Sequence, residues 1–151
     1  MSSTRQKLVI SLLLLGLISA CNKPETIIDL SSSSFNLTNT DSAQVAFPDN
    51  YKGEISVISF IYTHCPDVCP IITANMRNIQ SELQDTSNVE FIEITFDPQR
   101  DTPSVLKKYK ETYRLNDQFQ LLTADTSTIN SLLDKMNILA QKTQIDSMKQ
   151  N

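Results

Sequence analysis

The residues of this chain best suited to chemistry are two cysteines, Cys65 and Cys69. They stand at positions i and i+4, between a run typical of a buried strand and a run typical of a helix. A pair at this spacing lies on one face of a helix's first turn, where backbone N–H groups and the helix dipole stabilise a thiolate. The pattern predicts a site for a soft metal ion or for a disulfide bond.

The segments on either side of the thiols predict the elements that position them. β-branched and aromatic residues over 55–62 indicate a central strand that delivers the cysteines at its C-terminal end. Apolar residues at spacings of three and four over 68–83 indicate an amphipathic helix, with Pro70 in its first turn. The predicted apolar face of this helix consists of Val68, Ile72, Met76, Ile79 and Leu83.

The remaining pattern continues the alternation of strands and helices. A second helix is expected to begin with Thr102 as N-cap and Pro103 at its first position, and to run through Tyr113. The other predicted elements are a hairpin of strands 35–38 and 44–47, strands at 89–96 and 119–122, and a helix at 127–139. This order predicts an α/β domain with a central sheet. Since ligand sites in such sheets gather at the C-terminal ends of strands, Cys65 and Asp97 are expected to be neighbours.

Composition restricts the classes of function. The 151 residues suit one domain, and 40% hydrophobic with 20% charged residues is typical of a globular protein. The formal net charge of −4 argues against nucleic-acid binding, which favours a basic face. The two glycines exclude a glycine-rich phosphate loop. No coiled-coil heptads or long exposed apolar stripe is evident, so we expect a monomer.

The N-terminus predicts export and anchoring. Arg5 and Lys7 precede an apolar run over 8–18, and small residues then lead to Cys21, as in a signal peptide. The sequence Ile18-Ser19-Ala20-Cys21 also resembles a bacterial lipobox, which implies cleavage before Cys21 and lipid attachment to its thiol. An uncleaved anchor helix is the alternative. We therefore expect a lipoprotein signal peptide at 1–20, a flexible tether at 21–34 and an extracytoplasmic, membrane-anchored domain at 35–151.

Two motifs resemble the signatures of the Sco/SenC copper-binding proteins. They are Thr63-His64-Cys65-Pro66-Asp67-Val68-Cys69-Pro70 and Asp97-Pro98-Gln99-Arg100-Asp101-Thr102-Pro103. The resemblance extends from about Phe35 to the end of the chain. It implies a thioredoxin-like fold and a role in delivering copper or maintaining thiols during assembly of the copper centre of cytochrome c oxidase. The expected partner is the copper-bearing oxidase subunit or another copper or thiol protein.

The resemblance also implies a ligand set. Cys65 and Cys69 become thiolate ligands, and soft thiolates suit Cu(I). The family adds a histidine on a loop far downstream, whereas the one histidine of this sequence is His64. The last strands and the C-terminal helix of the fold are also expected to be missing, as in a fragment, a truncated reading frame or a degenerate member. Two thiolates could hold Cu(I), but Cu(II) would lack its nitrogen donor.

Five further residues are candidates for surrounding the thiols. His64 is interpreted as a structural or neighbouring group rather than a ligand. Asp97, Arg100 and Asp101 could influence the copper site directly, although a loop network of ion pairs and caps is the favoured interpretation. Asp67 could alter the chemistry of the thiols or could simply face solvent, and the sequence does not distinguish between these two roles.

Four functions are compatible with the pattern. The leading hypothesis is a membrane-anchored copper metallochaperone, which is not an enzyme. A thiol-disulfide oxidoreductase is the first alternative, because the same thiol pair can cycle between dithiol and disulfide. A peroxidase of the peroxiredoxin kind fits less well, since those sites rely on one peroxidatic cysteine in a different motif. The last alternative is a non-functional truncated remnant.

Overall fold

The computed structural model describes residues 28–139, which form a five-stranded sheet and three α-helices. The strands are β1 (Phe35–Asn39), β2 (Gln44–Phe47), β3 (Ile55–Ile61), β4 (Val89–Thr95) and β5 (Phe119–Thr123). The helices are α1 (Val68–Glu82), α2 (Pro103–Thr112) and α3 (Thr126–Lys135), and a 3₁₀ turn lies at Asp49–Tyr51. Every strand and helix predicted within these residues is confirmed, with ends that differ by a few residues.

The sheet has the strand order β2-β1-β5-β4-β3. Strands β3, β4 and β5 run parallel, and the N-terminal hairpin β1-β2 joins antiparallel through β5. Ile61 at the end of β3 pairs with Thr95 at the end of β4. The loops that follow these two strands therefore leave the same edge of the sheet side by side, as the sequence predicted for Cys65 and Asp97.

Two hydrophobic clusters cover the two faces of the sheet. One contains Ile92 and Ile94 of β4 together with residues of the hairpin and α3. The other contains Phe91 of β4 together with residues of α1 and α2, including Cys69. Because β4 is covered on both faces, its side chains from Phe91 to Thr95 are all buried. The thiol pair belongs to the second cluster.

The predicted apolar face of α1 is partly wrong. The buried side chains are Cys69, Thr73 and Met76, whereas the predicted core positions Val68, Ile79 and Leu83 are 56%, 46% and 40% exposed. The pattern counted only large apolar residues, so it missed that a cysteine and a threonine define the inner face. Ile71 is likewise 55% exposed, so large apolar side chains lie at the surface at both ends of this helix.

Two helices end in the same way. Arg114 and Asn137 follow α2 and α3 with φ of 51° and 53°. After α2 the N–H groups of Arg114 and Leu115 donate to the carbonyls of Glu111 and Lys110, which is the Schellman arrangement, and residues 137 and 138 repeat it after α3. The helix predicted over 127–139 therefore stops at Lys135, because Asn137 turns the chain away.

The N-terminal predictions fall mostly outside the described residues. The signal peptide at 1–20, the lipidation site Cys21 and most of the tether precede residue 28. Of the described part of the tether, Leu30 packs against the first cluster and Ser34 Oγ donates to Asp49 at 2.6 Å. Within residues 28–139 no helix is both long and apolar enough to cross a membrane.

Candidate metal and redox centre

The two cysteines meet where β3 passes into α1. The helix begins at Val68, so Cys65 precedes it and the expectation that both thiols share its first turn is wrong. Pro66 disfavours helical conformation at the residue before it, which is Cys65. The pair is nevertheless in contact, since the backbone N–H of Cys69 donates to Cys65 Sγ at 3.3 Å. The loop therefore presents one sulfur to the start of the helix that carries the other.

The environments of the two sulfurs differ sharply. Burial raises the pKa of Cys65, but hydrogen bonds from the backbone of Cys69 and Asp67 and from the side chains of Cys69 and Tyr62 lower it to about 7. Cys69 is 3% exposed, and burial together with the neighbouring Cys65 raises its pKa to about 12. Cys65 is half-buried, and both thiols are free. The site thus pairs an accessible thiol that readily ionises with a buried one that does not.

Asp101 connects the two sequence motifs. Its Oδ2 accepts hydrogen bonds from the Thr63 N–H at 3.0 Å and from Thr95 Oγ1 at 2.6 Å, and its Oδ1 accepts from Thr63 Oγ1 at 2.5 Å. Asp101 is fully buried. The residue therefore fixes the loop two residues before Cys65 to the end of β4.

The other candidates surround this connection. Asp97 is buried, its N–H donates to Thr95 Oγ1 at 3.0 Å, and its carboxylate lies 3.6 Å from Arg100. Arg100 itself is half exposed at its side chain. His64 is exposed, with Nδ1 3.3 Å from Thr63 Oγ1. Asp67 is exposed and contributes its backbone N–H to Cys65. These contacts place all five residues in the two loops that leave the sheet beside the thiols.

One buried group was missed by sequence reasoning. Glu93 of β4 has no exposed surface, although glutamate is almost never fully buried in proteins. Its Oε1 accepts a hydrogen bond from Thr73 Oγ1 at 2.8 Å, and Thr73 Oγ1 lies 2.8 Å from the Tyr109 hydroxyl. A central strand that is covered on both faces buries most of its side chains, so the predicted α/β architecture was a signal that a polar residue of this strand could be buried.

The donor set suits a thiophilic metal ion. Two convergent sulfurs, one of which ionises near neutral pH, are the soft ligands that Cu(I) prefers. Among residues 28–139 no group of three or more His, Cys, Asp and Glu side chains is arranged to hold a metal ion. The described site therefore supplies two strong donors rather than a closed cage of three or four.

Comparison with known proteins identifies the family. The model of the SCO1/SenC family matches residues 26–151. The chain belongs to this family. A SCO2-like protein of Rickettsia typhi is 40% identical over 89 residues, which cover 58% of this chain and 43% of that protein. The family member described here thus spans about half the length of the curated relatives that it matches.

Solved structures of Sco proteins share the fold. The copper-bound structure of Bradyrhizobium japonicum ScoI matches with a TM-score of 0.62 and 32% identity, covering 73% of this chain and 69% of that one. The structure of BsSco matches with a TM-score of 0.69 and 29% identity, covering 81% of this chain and 72% of that one. BsSco is a member of the Sco family of cytochrome c oxidase assembly proteins in which a disulfide switch was identified. The thioredoxin-like fold expected from the two motifs is therefore confirmed.

Proposed function

We propose that this protein binds Cu(I) through Cys65 and Cys69 and serves as a copper metallochaperone. The contact between the Cys69 N–H and Cys65 Sγ carries the proposal, because it brings two soft donors together at an accessible edge of the sheet. The copper-bound relative from Bradyrhizobium supports it. Two thiolates hold Cu(I), while Cu(II) lacks a nitrogen donor in this set.

A copper titration tests the proposal. The full chain, reduced and free of oxygen, competes for Cu(I) with a chromophoric Cu(I) chelator, and the absorbance of the chelator complex reports the transfer of copper. We expect one Cu(I) per chain, and loss of most of the binding in Cys65→Ser and in Cys69→Ser. Cys21→Ser is the matched control because it removes the third cysteine of the chain without altering the pair. Binding that persists unchanged in Cys65→Ser contradicts the proposal.

Thiol-disulfide exchange is a second candidate function, favoured by the asymmetry of the pair. In such a cycle the Cys65 thiolate attacks a partner disulfide, one partner sulfur leaves as a thiol, and Cys69 then displaces the second partner sulfur. The pair is oxidised to a disulfide and the partner disulfide is reduced to two thiols, so electrons and protons balance. Reduction of a model protein disulfide by the reduced chain tests this function. Absence of exchange by the wild type contradicts it, whatever the copper titration shows.

We further propose that the protein acts outside the cytoplasmic membrane, held there by lipid on Cys21, and serves the copper-bearing subunit of cytochrome c oxidase or another copper or thiol protein. The lipobox-like residues 18–21 support the anchor, and the likeness to BsSco, a cytochrome c oxidase assembly protein, supports the assembly role. Detergent phase partition of wild-type and Cys21→Ser proteins from a bacterial host tests the anchor. The wild type is expected in the detergent phase and Cys21→Ser in the aqueous phase. Equal partition contradicts the anchor.

A further inference from the structure

Strand β3 is an edge of the sheet within residues 28–139, because β4 is its one neighbour there. Its residues 55–61 include no charged side chain and no proline, which commonly protect an edge strand from pairing. The register with β4 is unbroken along the whole strand, so no bulge twists this edge away from an approaching strand. The edge of β3 is therefore suited to pairing with one more strand.

Alternate residues of β3 direct their backbone groups toward β4 or away from it. The Ile55 N–H donates to the carbonyl of Asn88 at 2.9 Å, so the odd-numbered residues of the strand face β4. The N–H and C=O groups of Ser56, Ile58 and Phe60 consequently face the open edge. This set is symmetric about Ile58. An antiparallel copy of the strand, with Ile58 opposite Ile58 and Ser56 opposite Phe60, satisfies every one of these outward groups.

Helix α1 carries an apolar face beside its buried one. With 3.6 residues in each turn, four large apolar side chains fall within about 60° of each other around the helix, and we call them the lateral face. They are Val68, Ile72, Ile79 and Leu83. All are exposed except Ile72, which is half-buried. The sheet-facing side chains of the helix lie roughly a quarter turn away from this face.

The lateral face is on the side of α1 that overhangs the edge of β3. Helix α1 packs on β3, whereas α2 packs on β5, which lies beyond β4. Thr73 contacts Tyr109 of α2, and Gln80 donates to Gln118 beside β5 at 2.7 Å, so this side of α1 faces the middle of the sheet. Around the helix, Cys69 lies between these two residues and the lateral face. The lateral face is therefore turned toward the open edge.

The strand and the lateral face share one centre. Thr73 donates to Glu93 at 2.8 Å, and Glu93 pairs with Ser59, so Thr73 lies at the level of Ser59 on β3. Ile58 is one strand residue, about 3.3 Å, further from the thiols, and this distance corresponds to about two residues of a helix. The level of Ile58 on α1 is thus near position 75. The lateral face is symmetric about the same point, because positions 68 and 83 have the same midpoint as positions 72 and 79.

We propose that this edge is a self-association surface, on which a second copy of the chain adds its own β3 antiparallel to the first about a two-fold axis at Ile58. The same axis sets Ile72 of one α1 opposite Ile79 of the other, so the strand layer and the helix layer are both self-complementary, as an isologous interface requires. Neither β3 nor the lateral face contains a charged residue, so the contact avoids the repulsion expected between copies with a net charge of −4. On this proposal the chain is a dimer rather than the monomer expected from its sequence.

A second copy fits this surface better than the chain's own residues 140–151. Those residues include three apolar side chains, at positions 140, 145 and 148, among polar and charged ones. They therefore lack the alternation of apolar residues that a strand packed under α1 needs. The strand β3 itself supplies such residues, since Val57 packs against one hydrophobic cluster while Ile58 and Phe60 pack against the other.

The dimer leaves the thiols free. Antiparallel strands end in opposite directions, and Ile61, the last residue of β3, already lies about 10 Å from the axis. The two copies of Cys65 therefore lie at opposite ends of the paired strands and do not meet. Association is expected to need neither copper nor a disulfide bond, so it can fail or succeed independently of the proposed copper function.

Sedimentation velocity of the reduced, metal-free full chain in a mild detergent tests the proposal. Wild type is expected to be a dimer. Ser56→Pro deletes an outward N–H and leaves the hydrogen bonds to β4 in place, so the dimer should weaken on the order of tenfold or more. Ser56→Ala is the matched control, since it retains that N–H and should dimerise. Cys65→Ser should dimerise like wild type. A wild type that stays monomeric at millimolar concentration overturns the proposal.

Cross-linking at the axis is an independent measurement that does not depend on the folding of Ser56→Pro. In a chain whose three native cysteines are replaced by serine, Ile58→Cys places the two new thiols opposite each other, with about 5.5 Å between the Cα atoms. Mild oxidation should give a covalent dimer on a non-reducing gel. Ser81→Cys is the control, because Ser81 is exposed on the opposite side of α1 from the lateral face. Equal cross-linking of the two variants, or none in Ile58→Cys, overturns the proposed interface.

Discussion

Asp101 and Thr63 are joined by two hydrogen bonds, to the Thr63 N–H at 3.0 Å and to its hydroxyl at 2.5 Å. The two residues are 38 positions apart in sequence, yet they lie in the loops that follow the adjacent parallel strands β3 and β4. One carboxylate therefore holds the loop that carries Cys65 against the loop that carries the second motif. The two motifs are distant in sequence but are in direct contact in the folded protein.

Loss of this connection is expected to destabilise the domain. Asp101→Ala leaves the Thr63 N–H and the hydroxyls of Thr63 and Thr95 without their acceptor in a buried site, which costs roughly 2–4 kcal/mol. Urea unfolding of the reduced protein, followed by circular dichroism, measures the change in the free energy of unfolding. Asp117→Ala is the control, because Asp117 is an exposed aspartate. A loss below about 0.5 kcal/mol in Asp101→Ala shows that water replaces the carboxylate at little cost.

The two thiols are expected to react with alkylating agents at different pH. The thiolate is the reactive form, and the pKa of Cys65 is lowered to about 7 while that of Cys69 is raised to about 12. The rate of modification of Cys65 by iodoacetamide should therefore rise through pH 7 and level off near pH 8. Cys69 should react slowly up to pH 9. Peptide mass spectrometry after short exposures between pH 5 and pH 9 measures both rates, and equal rates at pH 7 refute the proposed asymmetry.

Stability is expected to fall as pH rises because of Glu93. Its pKa is raised by burial from 4.5 to about 7, so the folded protein holds a proton that the unfolded chain loses at lower pH. The stabilisation that this proton provides is complete below pH 4.5 and is lost as pH rises through 7, with a total of roughly 3 kcal/mol.

The matched variant isolates this contribution. Glu93→Gln cannot ionise, so its free energy of unfolding should change less than that of wild type between pH 5 and pH 8. Urea titrations of the two reduced proteins at pH 5, 6, 7 and 8 give the two slopes. Glu111→Gln, which replaces an exposed glutamate, should follow the wild type. If wild type and Glu93→Gln have parallel profiles, the carboxyl is ionised in the folded core at all of these pH values.

The order of strands and helices could be predicted from the sequence, because the signals that specify each element lie within that element. Hydrophobic periodicity and the Thr102-Pro103 start signal determine elements without reference to their neighbours, and Thr102 does precede α2 with Pro103 at its first position. Its side chain makes no capping hydrogen bond and contacts Ser104 Oγ at 3.0 Å instead. The site was found for the same local reason, since each motif lies within one short stretch of chain.

The tertiary environment of single side chains could not be predicted in this way. Glu93 and Thr73 read as polar positions, and only the packing of α1 and α2 on the same face of the sheet buries them together. Val68 reads as a core residue, yet it points away from the sheet because Cys69 takes the inner position. Hydrophobic periodicity alone cannot identify the buried face of a helix when small or polar residues occupy that face.

A single backbone change is expected to stabilise the fold. Arg114 follows α2 with φ of 51°, a left-handed conformation that glycine adopts without the steric cost of a Cβ atom. Arg114→Gly should therefore raise the free energy of unfolding by about 0.5–1 kcal/mol, since the Schellman hydrogen bonds need only the backbone. Arg77→Gly is the matched control, because Arg77 is an exposed arginine inside α1, where glycine costs about 1 kcal/mol. Opposite signs of the two changes in urea unfolding support the left-handed helix end, and destabilisation by both contradicts it.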